Sequence, residues 1–235
     1  MPNGFAYLML FAWPLVAQAL FRAMPVYKAL IWTIMAGYLV LPSATGVKLP
    51  MLPLLDKHSI PVISAFILCW VHAPPSQPGN RARLGVIERA LIPGLLVLLV
   101  SSPFLTVMTN TEPLFFGPTF LPGLRPYDAL SMISGAVITI LPFLLARRYL
   151  NTPEAHREIL RAFAFGGLAY SLPALLEVRL SPQLHVWVYG FFPHNFIQHI
   201  RAGGFRPVVF LNHGLMIGIL FCLSTLAALI LWREA

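Results

Sequence analysis

The chain has 235 residues, 58% of them hydrophobic and only 10% charged, with a formal net charge of +8. A soluble domain carries about 25% charged residues, so a soluble fold is excluded and lipid must be the solvent for much of the surface. The positive charge sits in short loops between apolar runs, which ties it to topology and anionic lipid and not to nucleic acid.

Seven apolar runs follow one another, at 4–21, 27–45, 59–73, 90–108, 128–146, 160–176 and 207–232. A membrane barrel would need alternating segments of ~10 residues. Long unbroken runs of ~20 apolar residues read as helices. The first run opens with MPNGFAYLMLFAWP, which lacks the basic stretch of a secretory signal and reads as a membrane helix. The third is short for a ~30 Å core; it either re-enters the membrane or starts within 48–58. The connector 74–89, PPSQPGNRARLGVIER, has the Pro, Gly and polar content of a flexible link. Ahead of the sixth run, Thr152-Pro153-Glu154 reads as a helix start, with Thr as cap and Pro in the first turn. Pro14, Pro42, Pro93, Pro103, Pro142 and Pro173 fall within runs and predict kinks. No internal repeat is visible. Cys69 and Cys222 lie in apolar runs, where they indicate neither a disulfide nor a metal site.

Ten of the 16 basic residues occupy alternate connections and the end of the chain: Arg22, Lys28, Arg81, Arg83, Arg89, Arg147, Arg148, Arg157, Arg161 and Arg233. The positive-inside rule places these in the cytoplasm. The expected fold is therefore all-α: a single transmembrane helical bundle over 1–235, of about seven spans, with the N-terminus outside and the C-terminus inside.

Of the three outer loops, 179–206 is the most informative. It keeps Arg179, Arg201 and Arg206 on the face where arginine is disfavoured. It also carries His185, His194 and His199, with His213 expected two turns inside the last span. Arginine retained there suits an anionic ligand, because its planar fork makes paired charge-assisted bonds with phosphate. Blander readings stand beside this one. Residues 193–201 could form an interfacial helix with His194, Gln198 and Arg201 on its polar face, and Trp187 and Tyr189 would be interface-belt residues. Arg179 could pair with Glu177 or snorkel. Arg206 lies in GGFRP, where two glycines let backbone approach a ligand. His213, in LNHG, is either a packed histidine or a proton-handling one. The five-residue spacing of His194 and His199, with no carboxylate nearby, speaks against metal. In the first outer loop, LLDKHSIP places Asp56, Lys57 and His58 at a membrane face, where Asp56 could pair with Lys57 or with a loop arginine.

The stretch EVRLSPQLHVWVYGFFPHNFIQHIRAGGFRPVVFLNHGL (177–215) resembles the middle of bacterial O-antigen ligase-like and exopolysaccharide polymerase-like membrane proteins. LPMLPLLDKHSIP (49–61) resembles their early outer loop. The resemblance covers about a fifth of the chain. It implies a multi-pass protein of the bacterial inner membrane that transfers or polymerises glycans carried on a polyprenyl diphosphate at the outer face. It implies that Arg179, Arg206 and then Arg201 hold the diphosphate, that a histidine assists the acceptor hydroxyl, and that no metal or other cofactor takes part. Partners would be the lipid-linked glycan and membrane lipids. Family members run well beyond seven spans and carry their usual catalytic histidine toward the C-terminus. The chain is therefore expected to be a part of a larger protein or to need a protein partner, and the base falls to His185 or His213. The rival expectations are a transporter or lipid-phosphate-binding module without chemistry, and a structural subunit of an envelope polysaccharide complex.

Overall fold

The computed structural model describes residues 1–49, 52–72, 86–201 and 203–234, without the side chains of 86–89 and 201. In chain order the elements are α1 (Gly4–Ala23), α2 (Val26–Val40), β1 (Gly46–Val47), β2 (Leu55–Asp56), α3 (Ser59–His72), α4 (Val86–Thr109), β3 (Leu114–Phe116), β4 (Thr119–Leu121), α5 (Pro126–Tyr149), α6 (Pro153–Leu180), α7 (Leu184–Tyr189), a four-residue 3-10 turn (Phe196–His199), β5 (Ile200–Arg201), β6 (Gly204–Phe205) and α8 (Gly214–Glu234). Among the described residues the strands pair as three short antiparallel hairpins, β1–β2, β3–β4 and β5–β6. The protein is thus mostly helical. Five helices hold stretches long and apolar enough to cross a membrane (in α1, α4, α5, α6 and α8), and α2 and α3 are shorter apolar helices.

The chain forms two units. One comprises Met1–Val47, Leu55–Ala73 and Leu141–Ala235. Here α1, α2, α3, α6 and α8 pack side by side. Burial on α6 separates by face. Ala162, Gly166, Gly167, Tyr170, Ala174 and Glu177 are buried, while Leu168, Leu172 and Leu175 are exposed. This pattern of small residues inward and leucine outward suits helices that meet in lipid, where close backbone approach drives association. Ser224 of α8 sits against Gly167 so closely that a Cβ there would collide with its hydroxyl, and Ser224 Oγ donates to the Phe163 carbonyl at 2.7 Å. Likewise a Cβ on Gly37 of α2 would lie 2.6 Å from Pro61 of α3, and Trp13 of α1 donates to the Thr33 carbonyl of α2 at 3.2 Å.

At one end of this unit lie the starts of α2 and α6 and the end of α8. Glu158 is buried there and receives Trp32 Nε1 at 3.3 Å, Lys28 at 3.6 Å and Arg161 at 3.6 Å. Arg157 pairs with Glu234 at 3.0 Å. The opposite end gathers the start of α1, the end of α2, the start of α3, the end of α6, α7 and the start of α8.

The other unit comprises Lys48–Leu54 and Pro74–Ile140. It holds α4, the β3–β4 hairpin and the first part of α5. Its hairpin carries exposed Phe115, Phe116 and Phe120. The expected cytoplasmic connector 74–89 lies mostly outside the described residues.

Several expectations need correction. The last helix starts at Gly214, not at Pro207, because Val209 adopts φ +51°, outside the right-handed helical region. His213 therefore precedes the helix and does not lie two turns inside it. The interfacial helix over 193–201 shrinks to the 3-10 turn, and a short α7 forms upstream instead. Tyr189 is buried, at 1% exposure, and is no belt residue, whereas Trp187 is exposed. Pro42 follows the end of α2 and does not kink it. The start of α6 is as read: Thr152 Oγ1 accepts from the Ala155 amide at 3.3 Å, with Pro153 in the first turn.

Candidate functional site

Four stretches distant in sequence meet at the second end of the helical unit, and buried polar side chains tie them together. Glu177, in the last turns of α6, has no exposed surface. One carboxylate oxygen accepts from the Leu184 amide at 2.9 Å. The other accepts from Val208 and Val209 at 2.8 and 2.7 Å. The Phe210 amide donates to Tyr170 Oη at 2.9 Å. The Phe210 carbonyl accepts from Lys57 Nζ at 2.7 Å and from Ser43 Oγ, and Lys57 also reaches Ser43 Oγ at 3.2 Å. Lys57 lies over the Tyr38 ring, 5.2 Å from its centre. The turn 208–210 is thus gripped at each of these backbone groups by side chains from α6 and from the loops around α3, as a buried backbone without a helix or sheet partner requires.

His185 belongs to the same network. Its Nδ1 lies 2.7 Å from the Phe191 carbonyl, which can only accept, so Nδ1 carries the proton. Its Nε2 accepts the Ser43 amide at 3.2 Å. Tyr189 Oη donates to the Val40 carbonyl at 2.6 Å. Burial shapes the electrostatics. Desolvation pulls the Lys57 ammonium down to about 7, against a smaller upward pull from Asp56. It lowers the His185 imidazolium, opposed by the bond to Phe191, and pushes the Tyr189 phenol up to about 12. Three residues other than glycine hold positive φ among the described residues, Ala44 (52°), Ser181 (79°) and Val209 (51°). All three flank this network, and such strain persists only where the surroundings over-determine it.

Beside the network lies a group of imidazoles. Ring centres are 5.5 Å apart for His194 and His199, 4.9 Å for His194 and His213, and 5.3 Å for His199 and His213. His199 is buried, His213 half-buried and His194 exposed. The β5–β6 hairpin and the turn 208–211 bring these rings together, and the Arg206 amide donates to the His199 carbonyl at 2.8 Å. Arg206 itself lies across Gly214: a Cβ there would collide with Arg206 Cγ and Cδ. This half-buried arginine therefore runs past the first residue of α8, next to His213.

Whether the imidazoles suit a metal turns on their nitrogens. His194 Nδ1 accepts from the Asn195 amide at 2.8 Å, and His213 Nδ1 accepts from the Leu215 amide at 3.1 Å. An acceptor at Nδ1 puts the proton of the neutral ring on Nε2, where a metal would need a lone pair. Among the described residues no group of three His, Cys, Asp or Glu has metal-holding geometry. Nε2–H donors match an oxyanion instead.

The residues singled out from sequence thus separate. Arg206 lies across Gly214, the residue that follows His213. His185 lies in the network with both nitrogens engaged, which leaves it no lone pair for a base. Arg179 is exposed in the last turn of α6, and the Glu177 carboxylate it was expected to pair with serves backbone amides. The side chain of Arg201 lies outside the described residues. The Asp56 carboxylate accepts the His58 and Ser59 amides, both at 2.9 Å, and caps α3. From sequence, the five-residue spacing of His194 and His199 speaks only against metal, and no motif marks Glu177, Lys57 and Ser43 as anchors. A lysine and a glutamate at the ends of apolar runs were the available signal.

Comparison with protein-family models, with curated proteins and with solved structures finds no match.

Proposed function

We propose that this chain is a membrane protein of about seven spans whose outer face binds a polyprenyl-diphosphate-linked glycan, acting as a metal-independent ligase or polymerase of surface polysaccharide. The observation that carries the reading is Arg206 running over Gly214 beside the His194–His199–His213 group. A guanidinium and imidazole N–H donors meet a diphosphate with charge-assisted hydrogen bonds. They would also stabilise the charge that builds on the leaving diphosphate as the acceptor hydroxyl oxygen bonds to the sugar carbon and the sugar–diphosphate bond breaks, the hydroxyl proton passing to the released diphosphate. The distribution of charge over the two ends of the helical unit supports the proposed orientation. Lys28, Arg157 and Arg161 share the end assigned to the cytoplasm by the positive-inside rule, and the imidazole group occupies the other. In this reading His213 is a donor to phosphate, and Arg206 is its principal cation. The resemblance to O-antigen ligase-like proteins over about a fifth of the chain, and a location in the bacterial inner membrane, belong to the same proposal.

A second reading, lipid-phosphate binding without transfer, is favoured by His185: one of the two residues considered as base has both nitrogens committed to backbone.

The test uses the full chain in lipid nanodiscs. Affinity for a polyprenyl diphosphate should fall about 10- to 100-fold in Arg206→Ala, as expected for loss of charge-assisted bonds of ~1.5–3 kcal/mol, and less in Arg206→Lys. Unchanged affinity in Arg206→Ala refutes the site. Glycan transfer by the wild type, assayed in parallel, separates the ligase reading from the binding-only reading.

A further inference from the structure

The turn that joins Arg206 to His213 is held in place by two buried ionisable side chains. Val209 stands at φ +51°, a conformation a β-branched residue adopts only under constraint. It has no exposed surface, and neither do its flanking Val208 and the Glu177 that grips both amides. On the other side, Lys57 and Ser43 converge on the Phe210 carbonyl, with Lys57 only 3% exposed. Tyr170 takes the Phe210 amide, and Leu211 closes the turn on the Val208 carbonyl at 2.9 Å. Burying a lysine and a glutamate is costly unless each finds fixed partners. Here both find partners on the backbone of one short turn, Glu177 at the Val208 and Val209 amides and Lys57 at the Phe210 carbonyl. Arg206 lies two residues before it and His213 three residues after Phe210.

We infer that Lys57 and Glu177 are positioning residues: by clamping 208–211 in its strained form they set Arg206 against Gly214 and bring His213 to His194 and His199. The use of this arrangement in phosphate capture rests on the reading proposed above; the clamp itself does not. Loss of the clamp would let Val209 relax toward negative φ. That relaxation rotates the chain between Arg206 and His213 and separates the groups they carry. Glycine at 209 tolerates positive φ without a clamp, so it should make the clamp dispensable.

The experiment follows the histidine rings of the full chain, labelled with 13C at the imidazole Cε1, in nanodiscs by NMR. His194, His199 and His213 are assigned by single His→Gln variants. In the wild type the three signals carry the mutual ring-current shifts of a close group. Lys57→Met should move all three toward the positions of isolated histidines, and Tyr170→Phe, which removes one neutral clamp bond and keeps the fold, should move them partway. Adding Val209→Gly to either variant should return them. Unmoved signals in both variants overturn the inference, as do moved signals that Val209→Gly fails to return in the Tyr170→Phe background. Inorganic pyrophosphate is titrated into the same samples. Affinity that falls about tenfold or more with the clamp and returns with Val209→Gly links the clamp to the ligand. Wild-type protein that ignores pyrophosphate removes the phosphate reading, while the ring signals still decide on the clamp.

Discussion

Glu177→Gln separates a buried structural anchor from an incidental polar residue. The wild-type carboxylate serves three backbone amides with two oxygens: Leu184 on one, Val208 and Val209 on the other. Glutamine offers one carbonyl oxygen and an NH2 group. The best it can do is keep its oxygen on Val208 and Val209 and turn the NH2 group toward Leu184, donor against donor. With Glu177 at 0% exposure no water relieves that contact. An orphaned buried donor costs ~1–3 kcal/mol, and two charge-assisted bonds reduced to neutral ones lose roughly 1 kcal/mol each. The lower desolvation cost of an amide offsets part of this. The expected loss is about 2–4 kcal/mol, and Glu177→Ala, which orphans all three amides, should lose more. The assay is unfolding in mixed detergent–SDS micelles followed by far-ultraviolet circular dichroism. A Glu177→Gln chain within ~0.5 kcal/mol of wild type would refute the anchor, as would a Glu177→Ala chain more stable than Glu177→Gln.

The buried Lys57 predicts a pH dependence of stability. Its folded pKa of about 7 lies below its ordinary 10.5, so between these values the unfolded chain binds more protons and stability rises with pH, by at most ~1.4 kcal/mol per unit. Melting temperature measured from pH 7 to 9.5 should climb in the wild type and lose that slope in Lys57→Met; equal slopes would contradict the assignment. At the contact of α6 with α8, Gly167→Ala forces a methyl into Ser224 Oγ and breaks its bond to Phe163, at ~1–3 kcal/mol. Gly166→Ala, whose nearest neighbour is the flexible end of Met35 at 3.1 Å, should cost less in the same unfolding assay, and the reverse order would sink the packing argument.

What the sequence determined by itself is what hydropathy and local caps encode. Long apolar runs can satisfy their backbone in lipid only as helices, so α1, α4, α5, α6 and α8 were legible, and Thr152-Pro153 marked the start of α6 because a cap acts within one turn. Tertiary structure alone decided the site. Ser43, Lys57, Glu177 and Phe210 are far apart along the chain and meet only when α2, α3 and α6 pack, so nothing local to any of them announces the clamp. The same holds for His194, His199 and His213, whose spacing matches no helix face because a hairpin and a turn assemble them. The run of apolar residues from 207 read as helix because hydropathy cannot register that Val209 is held at φ +51° with its amide on Glu177, 32 residues away in sequence. Burial creates the demand for those hydrogen bonds, and only the folded chain determines which groups are buried together.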